Sequence, residues 1–480
     1  MIDNLQLKLL SPEKVSTIYS KCVEILSSKG IKVEHPSALK ILSKAGAQVD
    51  FETEQVRFPK DIIEMALRSV PHGFTLAGKN ESHNLTFPHP KRQFYARPGT
   101  GARNYLEPDS KTYRSTTLAD VAELGQLVEA LDEMSFCAYP TPRDLPEATA
   151  DIHALKTLFE NTSKHIMVQP YSFGSVEYLF QLALAVAGST EALRKQSIIH
   201  ILACCITPLA VKDMDAEVII QSARYGVPIG LASLPSAGAT SPATIDGTVL
   251  LASIEILAQL VMSQLVKPGL PVYGFPIFFT LDMQSGRTLQ SSVESILGAA
   301  ATVQFINDAF HIPTHTYGFG TDSHIPDGQS TIEATLRSLL VSMADCDILG
   351  GAGQLDVATA FSPVQLIIDD TLTSILKRIS SGVKVDDDTL AWRDILDTVP
   401  IGHFLERAHT LKYCREALRP ELLVSQPMEI WSTEGSKDLN TRAVEKYREL
   451  KKGLQPQQLP EDVQKELDRI VKQADEHLVK

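Results

Sequence analysis

The sequence lacks the patterns that identify several common protein classes. Its formal net charge is −13 with no basic stripe, which argues against a nucleic-acid partner, whose phosphates require clustered Lys and Arg. The N-terminus shows no charged start followed by an apolar run, so we expect no secretory signal and a cytoplasmic protein. With 44% hydrophobic and 21% charged residues, the composition is that of an ordinary globular protein and suggests no membrane span.

Cysteines and catalytic motifs are also sparse. The sequence contains six cysteines with no CxxC spacing, most of them in apolar segments, so no disulfide framework is expected. A His/Cys/Cys zinc site is not expected either, and we predict no protein-bound metal. There is no GxGxxG loop after the first predicted strand, no GxxxxGK[ST] loop and no GxSxG turn. Their absence disfavours a doubly wound nucleotide-binding sheet and a serine hydrolase.

A repeating unit of strand and helix dominates the central part of the sequence. Each predicted strand is apolar and ends in polar, Gly or Pro residues, and a helix follows. Such strands are buried on both faces, as in a parallel sheet that is covered by helices. Seven or eight consecutive units predict an α/β protein with a (β/α)8 barrel. The predicted strands lie at residues 135–140, 165–171, 198–208, 228–235, 271–279, 312–318 and 346–351.

Three regions are expected along the chain. Residues 1–90 predict a small α+β cap with a hairpin at 48–58, residues 91–361 predict the barrel, and residues 362–480 predict helices that close the barrel and cover its surface. The terminal helices are charged and carry few large apolar residues. We therefore expect them on the surface or against a neighbouring subunit of a homo-oligomer.

The stretch from 312 to 354 holds the densest set of candidate catalytic residues. It predicts a strand, a loop with Asp322 and His324, a helix, and a second strand that leads into Gly350, Gly351 and Gly353. In a (β/α)8 barrel the active site lies at the carboxyl ends of the strands, where these polar residues are gathered. One interpretation is that Asp322 and His324 act as acid and base.

Aromatic residues recur at the predicted strand ends, although they make up only 6% of the sequence. Tyr139, Phe279 and Tyr317 follow or end three different strands, and Gln354 follows the last one. A ring face attracts an organic cation by roughly 0.5–2 kcal/mol per contact, so such a mouth suits a cationic substrate. The alternative is that these rings only fill the mouth of the barrel.

The sequence contains the segments RPGTGARNYLEPD at 97–109, KHIMVQPYSFGS at 164–175, FGTDSHIPDGQ at 319–329, FSPVQLIIDDTL at 361–372 and GHFLERAHTL at 402–411. Together these segments resemble the trimethylamine methyltransferase family of corrinoid-dependent enzymes. The resemblance implies a TIM barrel that moves a methyl group from a methylated amine to the Co(I) of a cobalamin, which a partner corrinoid protein carries. The founding members contain pyrrolysine, whereas this sequence has only the standard residues. It therefore resembles the branch that demethylates quaternary amines such as glycine betaine.

A betaine substrate implies one site for its cation and another for its carboxylate. We add Tyr95 to the three aromatic residues as a ligand of the cation, and assign the carboxylate to Arg97, Arg143 or His324. His324 then becomes a substrate ligand rather than a proton carrier. The glycine-rich loop at 350–353 is expected to allow close approach of the corrin ring.

Two alternative functions remain open from the sequence. The first is a zinc-dependent barrel methyltransferase that acts on a thiol or on methanol. The second is a binding protein that recognises a betaine in the same aromatic mouth without turning it over. Metal analysis would distinguish the first alternative, and a turnover assay would distinguish the second.

Overall fold

A β-sheet joins the N-terminal segment to a strand from the middle of the chain. A computed structural model describes residues 6–479 except residues 111 and 399. The hairpin predicted at 48–58 is present as two antiparallel strands, and a third strand of this sheet pairs in parallel with Ala210 and Val211. The elements of this segment are α1 (Pro12–Ser28), β1 (Ile31–Val33), α2 (Pro36–Lys44), β2 (Gln48–Asp50), β3 (Gln55–Arg57), α3 (Lys60–Ser69), β4 (Phe74–Leu76) and β5 (Leu85–Phe87).

The remaining strands, apart from β11 in the N-terminal sheet, supply the barrel and two small sheets on its carboxyl end. Their bounds are β6 (Tyr95–Pro98), β7 (Asn104–Leu106), β8 (Tyr113–Ser115), β9 (Ile166–Val168), β10 (Ile199–Cys205), β11 (Ala210–Val211), β12 (Ile229–Ser233), β13 (Ser236–Ala237), β14 (Val272–Pro276), β15 (Phe279–Leu281), β16 (Thr288–Leu289), β17 (His315–Tyr317), β18 (Ile348–Ala352), β19 (Gln354–Leu355) and β20 (Ala360–Phe361). The short strands β7, β8, β19 and β20 form one of the two small sheets, and β13, β15 and β16 form the other.

Eight parallel strand positions close into a barrel, which confirms the predicted fold. Pairing runs from β9 through β10 and β12 to β14, and from β17 through β18 to β6. Isolated parallel bridges complete the circle, from Gly274 to Thr314 and from Ala96 to Met134 and Cys137 to Ile166. Residues 134–137 therefore form the second strand position of the barrel, and they pair with their neighbours only through isolated β-bridges.

The first barrel strand, β6, is absent from the seven predicted strands. It reads Tyr-Ala-Arg-Pro, which is too short and too polar to stand out as an apolar run. Its neighbour β18 bulges between Leu349 and Ala352 where the two strands pair. The strand predicted first, at 135–140, is in fact the second position.

Helices surround the barrel, and their bounds are α4 (Leu118–Ala130), α5 (Ala150–Asn161), α6 (Phe173–Ala187), α7 (Thr190–Lys195), α8 (Asp213–Tyr225), α9 (Ile245–Val266), α10 (Val293–Phe310), α11 (Gly328–Met343), α12 (Pro363–Ser380), α13 (Trp392–Thr398), α14 (Ala408–Tyr413), α15 (Met428–Thr433), α16 (Leu439–Lys451) and α17 (Glu461–Leu478). Helix α9 is long and apolar enough to span a membrane, but 78% of its apolar window is buried inside the protein. It packs against α8, α10 and the strands, as a core helix does.

Alternate residues of each barrel strand face two different apolar layers. One layer lies between the strands and the helices, and the other fills the lumen. The β4–β5 hairpin closes the amino end of the lumen, where Leu76, Leu85 and Phe87 join the inner layer. The backbone N–H of Ala77 donates to the carbonyl of Ser197, which lies two residues before the start of β10. The amino end of the lumen is therefore closed, and the active site of a (β/α)8 barrel is reached from the carboxyl ends of its strands.

Candidate active site in the barrel lumen

Arg97 lies in the lumen as a buried cation. Its side chain is fully buried, its Nε donates to Nε2 of His315 (2.9 Å), and its Nη1 donates to the carbonyl of Pro98 (2.7 Å). The guanidinium carbon lies 5.5 Å from the ring centres of both Phe275 and Tyr317. None of the ion pairs found among the described residues involves Arg97, and its Nη2 has no hydrogen-bond partner there. A buried charge is costly without an opposite charge, and none of the described side chains supplies one beside Arg97.

His315 is held neutral beside this cation. Arg97 Nε–H can only donate, so Nε2 of His315 accepts and the proton sits on Nδ1. Burial, and then the charge of Arg97, lower the pKa of His315 well below its usual value. The ring stacks on Phe275 with centroids 3.7 Å apart, and Nδ1 has no hydrogen-bond partner within the part of the chain that the structure describes. His315 therefore offers one free N–H donor in the lumen.

Two further histidines, which the sequence interpretation missed, stack deeper in the lumen. Nδ1 of His165 lies 2.8 Å from the carbonyl of Ala77 and must donate to it, so its Nε2 accepts from Nδ1 of His200 at 2.7 Å. Burial lowers the pKa of His165 to about 4 and that of His200 well below its usual value. Nε2 of His200 remains as an unpartnered acceptor. Their inward positions on adjacent strands are the signal that would have found them.

The path from Arg97 to the mouth passes three of the predicted ligands. The Tyr317 hydroxyl lies 3.3 Å from Oγ1 of Thr100, and Nε2 of Gln354 donates to the Thr100 carbonyl (2.7 Å). Oε1 of Gln354 has no partner although the side chain is buried. Phe279 is half-buried and packs against the inner layer at the mouth. The structure thus brings Arg97, Tyr317, Gln354 and Phe279 together along one path.

Tyr95 and Tyr139 lie apart from this group. Tyr95 begins β6 at the sealed end of the barrel, where its hydroxyl bonds to the backbone N–H and carbonyl of Thr86, both at 3.0 Å. Tyr139 belongs to the outer apolar layer, and its hydroxyl donates to the carbonyl of Gln169 (3.2 Å). Neither ring faces the carboxyl end of the lumen. Tyr95 lies at the opposite end of its strand, and Tyr139 points to the outer apolar layer. The structure therefore does not bring these two rings together with Arg97 and Tyr317.

Asp322 and His324 hold the rim of the mouth together. Both carboxylate oxygens of Asp322 accept backbone N–H groups, from Gln290 (2.8 Å) and Ser291 (2.9 Å). The His324 side chain is 64% exposed, and its Nδ1 lies 3.1 Å from Asp356, which also pairs with Arg287 (2.6 Å). These contacts occupy the carboxylate of Asp322 and leave the imidazole of His324 at the surface, so the structure does not bring either side chain together with Arg97 in the lumen.

Gly350, Gly351 and Gly353 make room for side chains of the protein itself. A Cβ at Gly350 would lie 2.6 Å from Nη2 of Arg97 and 2.8 Å from Nε2 of His315. At Gly351 it would lie 2.9 Å from the Tyr317 ring, and at Gly353 it would lie 2.6 Å from Phe361. The last two also have a positive φ. The space beside all three glycines is filled by side chains of the protein itself.

Buried acids on the outer helices anchor the strand ends. Asp215 of α8 accepts the backbone N–H of Cys204 (2.7 Å), and Asp369 of α12 accepts that of Gly353 (2.8 Å). Burial raises the pKa of Asp215 to about 7 and that of Asp369 to about 8. The same kind of contact is made by Asp151 to Tyr171 and by Glu255 to Leu209. The helices thereby fix the backbone around the mouth.

The two cysteines in the barrel strand β10 are protonated thiols, which are poor metal ligands. Burial raises the pKa of Cys204 and Cys205 well above the usual thiol value, which keeps both protonated. Within residues 6–479, leaving out 111 and 399, no group of three His, Cys, Asp or Glu side chains is placed to hold a metal ion.

An eight-stranded parallel barrel with a polar lumen that opens at the carboxyl ends of its strands defines a (β/α)8-barrel enzyme. The sequence matches the trimethylamine methyltransferase (MTTB) family over residues 2–478, so the chain belongs to that family and is a methyltransferase.

Relatives with known names agree with this assignment. A trimethylamine methyltransferase, MttB, of Desulfitobacterium hafniense (strain DSM 10664 / DCB-2) is 31% identical over 470 residues, which cover 97% of this chain and 94% of that protein. A glycine betaine methyltransferase of Desulfitobacterium hafniense (strain Y51) is 27% identical, with coverage of 97% and 96%. The monomethylamine methyltransferase MtmB of Methanosarcina barkeri shares the fold, with a TM-score of 0.50, 13% identity and coverage of 95% and 90%.

Proposed function

We propose that this methyltransferase takes a methyl group from a quaternary ammonium carboxylate, with glycine betaine as the best candidate. The acceptor in this proposal is the cobalt of a corrinoid that a partner protein carries. The observation that supports the carboxylate is Arg97, a fully buried guanidinium with no anionic partner among the described residues.

A carboxylate on the substrate would supply the missing anion. It can accept from the free Nη2 of Arg97, and the free Nδ1–H of His315 is a second donor in the same lumen. A charge-assisted hydrogen bond of this kind is about twice as strong as a neutral one. Trimethylamine has no anionic group, and its protonated form would add a second cation beside Arg97. The charge of the lumen therefore favours a zwitterion over a simple amine.

The sealed lumen also orients such a substrate. With the carboxylate at Arg97, the ammonium group points toward the open end, where Tyr317 and Phe279 offer ring faces. One methyl group then faces the mouth, which is the side from which the acceptor must come. Binding in this orientation aims the methyl group and excludes water from it, which is catalysis by positioning.

The protonation states of the histidines in the site agree with a quaternary ammonium substrate. A quaternary ammonium loses a methyl group and leaves as a neutral amine, so the departing group needs no proton. The nearby histidines are neutral and buried, and none is placed as a strong general acid. A lumen without an acid suits this chemistry.

The rim around the mouth fits a large, flat and mostly apolar partner. Ile206, Leu234 and Met283 follow the strands β10, β12 and β14 and are exposed by 52%, 38% and 76%. Apolar side chains exposed together beside an active site mark an interaction surface. The corrinoid supplies the reduced cobalt nucleophile, and these side chains would contact its ring or its carrier protein.

A turnover assay with matched substrates tests the proposal. The purified chain is mixed with chemically reduced cob(I)alamin and with glycine betaine, choline or trimethylamine, and methylcobalamin is followed by absorbance. Choline keeps the trimethylammonium group and lacks the carboxylate, so it isolates the contribution of Arg97. We expect product from glycine betaine and at least tenfold less from the other two. Methylcobalamin from no quaternary amine would refute the substrate class, and equal use of choline would refute the carboxylate site.

A further inference from the structure

Two fully buried histidines lie at the base of the lumen, on neighbouring strands. His165 directly precedes β9, and His200 is the second residue of β10. Their rings stack with centroids 4.9 Å and planes 7° apart, and the ring of Phe136 packs edge-on against both, at 6.0 and 5.6 Å. Packing therefore fixes where the two imidazoles lie, but it does not fix which ring nitrogen carries the proton.

A backbone carbonyl of the N-terminal segment fixes these protons. Nδ1 of His165 donates to the carbonyl of Ala77 (2.8 Å), because a carbonyl can only accept. Nε2 of His165 then accepts, so Nδ1 of His200 carries the proton between them (2.7 Å). Burial, followed by the electrostatic effects of His165 and Arg97, lowers the pKa of His200 well below its usual value. His200 is thereby held neutral, with a bare Nε2.

A continuous row of rings leads from His200 to Arg97. The Tyr273 ring lies edge-on against His200, with centroids 5.3 Å apart, and its centroid lies 5.6 Å from that of His315. His315 in turn accepts a hydrogen bond from Arg97 (2.9 Å). Nε2 of His200 has no hydrogen-bond partner among the described residues. The base of the lumen thus offers a lone pair, whereas Arg97 and His315 offer free N–H groups.

This order of acceptor and donors suits a cation that meets a carboxylate on its other side. A bare imidazole nitrogen attracts a guanidinium and repels a carboxylate. An N–H at the same place would repel Arg97 and would offer the carboxylate a further donor at the base of the lumen. Such differences are strong in a buried site, where the dielectric is low. The tautomer of His200 therefore bears on how deep an anion enters the lumen.

We propose that His165 is a positioning residue, which fixes the tautomer of His200 and thereby the depth at which the substrate carboxylate meets Arg97. This inference rests on the proposed function, since the carboxylate is that of the zwitterion. A carboxylate that sits too deep also draws the methyl group away from the mouth, so the methyl group is no longer aimed at its acceptor. The N-terminal segment takes part in the site, because the row of hydrogen bonds begins at Ala77.

Variants at two positions separate the tautomer from the packing. His165→Phe and the smaller His165→Leu remove both hydrogen bonds of the ring, and either one serves if the other does not fold. His165→Gln can keep both, since its amide nitrogen can donate to Ala77 and its amide oxygen can accept from His200. Phe136→Leu is the matched packing control, because the Phe136 ring is fully buried against both histidines and offers no hydrogen bond.

Two measurements need neither corrinoid nor turnover. Nitrogen NMR of protein with isotopically labelled histidine reports which nitrogen of each ring is protonated, and calorimetry with glycine betaine gives the Kd. Thermal unfolding checks that each variant is folded. We expect the wild type, His165→Gln and Phe136→Leu to carry the His200 proton on Nδ1. In His165→Phe or His165→Leu, where Nδ1 has lost its acceptor, part of the protein should carry this proton on Nε2.

Binding is expected to follow the tautomer. The Kd for glycine betaine should rise by about tenfold or more in His165→Phe or His165→Leu and by less than about threefold in His165→Gln and Phe136→Leu. A wild type with Nε2 of His200 protonated would overturn the proposal, as would an unchanged tautomer or an unchanged Kd in His165→Phe and His165→Leu. A Kd for His165→Gln as weak as that for His165→Leu would overturn it as well. These outcomes leave the proposed function standing, whereas a wild type that binds no glycine betaine would refute both.

Discussion

Replacing Arg97 with Met is expected to separate substrate recognition from stability. In the enzyme without substrate, the guanidinium is buried without an anion, so its removal relieves a desolvation cost of several kcal/mol. The same change leaves the Pro98 carbonyl and Nε2 of His315 without their donor, at about 1–3 kcal/mol each. These contributions oppose each other, so we expect the free energy of unfolding to change by no more than about 2 kcal/mol.

The effect on glycine betaine is expected to be much larger. Truncating one partner of a buried, hydrogen-bonded charge pair costs about 3–5 kcal/mol. Each 1.36 kcal/mol is a factor of ten, so kcat/KM for glycine betaine falls by roughly 10²–10³ or more. Choline makes no carboxylate contact and loses a repulsive neighbour, so its kcat/KM is expected to stay level or rise. The preference for glycine betaine over choline therefore collapses.

Steady-state kinetics with both substrates and thermal unfolding without substrate check this prediction. Arg97→Lys is the matched control, because it keeps the charge but loses the fork that reaches Pro98 and His315 together. We expect Arg97→Lys to lie between the wild type and Arg97→Met. An equal loss for both substrates would refute recognition of the carboxylate by Arg97, and so would an unchanged preference. A large loss of stability would show that Arg97 mainly supports the fold.

Three further substitutions probe the site and its support. Asp369→Asn removes a carboxyl group whose pKa burial raises to about 8. Because this carboxyl stays protonated in the folded protein but ionises near pH 4 in the unfolded chain, the wild-type protein loses stability by about 1.4 kcal/mol per pH unit between about pH 4 and 8. The free energy of unfolding of the variant should therefore depend less on pH across this range. His324→Ala should change kcat/KM by less than about threefold, because the ring is 64% exposed at the rim; a tenfold loss would return His324 to the site. Gly350→Ala should displace Arg97 and weaken glycine betaine binding by calorimetry, whereas Gly328→Ala, whose Cβ meets no atom within 4 Å, should not.

The sequence predicts the barrel well because its buried strands are apolar and regularly spaced. Strand β6 escapes this signal because it places a charged residue, Arg97, inside the lumen. Its polarity is the property that matters for the proposed function. Strand β6 is therefore identified by its pairing with β18 and not by its hydropathy.

The candidate site was predicted in part, because strand ends are visible in the sequence but the direction of each side chain is not. Arg97, Tyr317, Gln354 and Phe279 lie along one path, whereas Tyr139 turns to the outer layer. Which face a residue takes depends on the register with its neighbours, and one step moves it to the other layer. The buried pair His165 and His200 was missed for the same reason.

The buried acids on the outer helices explain how a polar lumen is kept in register. The backbone N–H groups of Cys204 and Gly353 at the mouth are held by side chains of α8 and α12, the helices that follow those two segments of the chain. Burial raises the pKa of these acids, which shows that the desolvation of the carboxylate exceeds the gain from its hydrogen bonds. These buried carboxyl groups therefore cost folding stability at the positions where they hold the backbone around the proposed substrate site rigid. A site that works by holding a zwitterion in one orientation needs this rigidity more than it needs an acid or a base, because an error of about 1 Å in position can cost a hundredfold in rate.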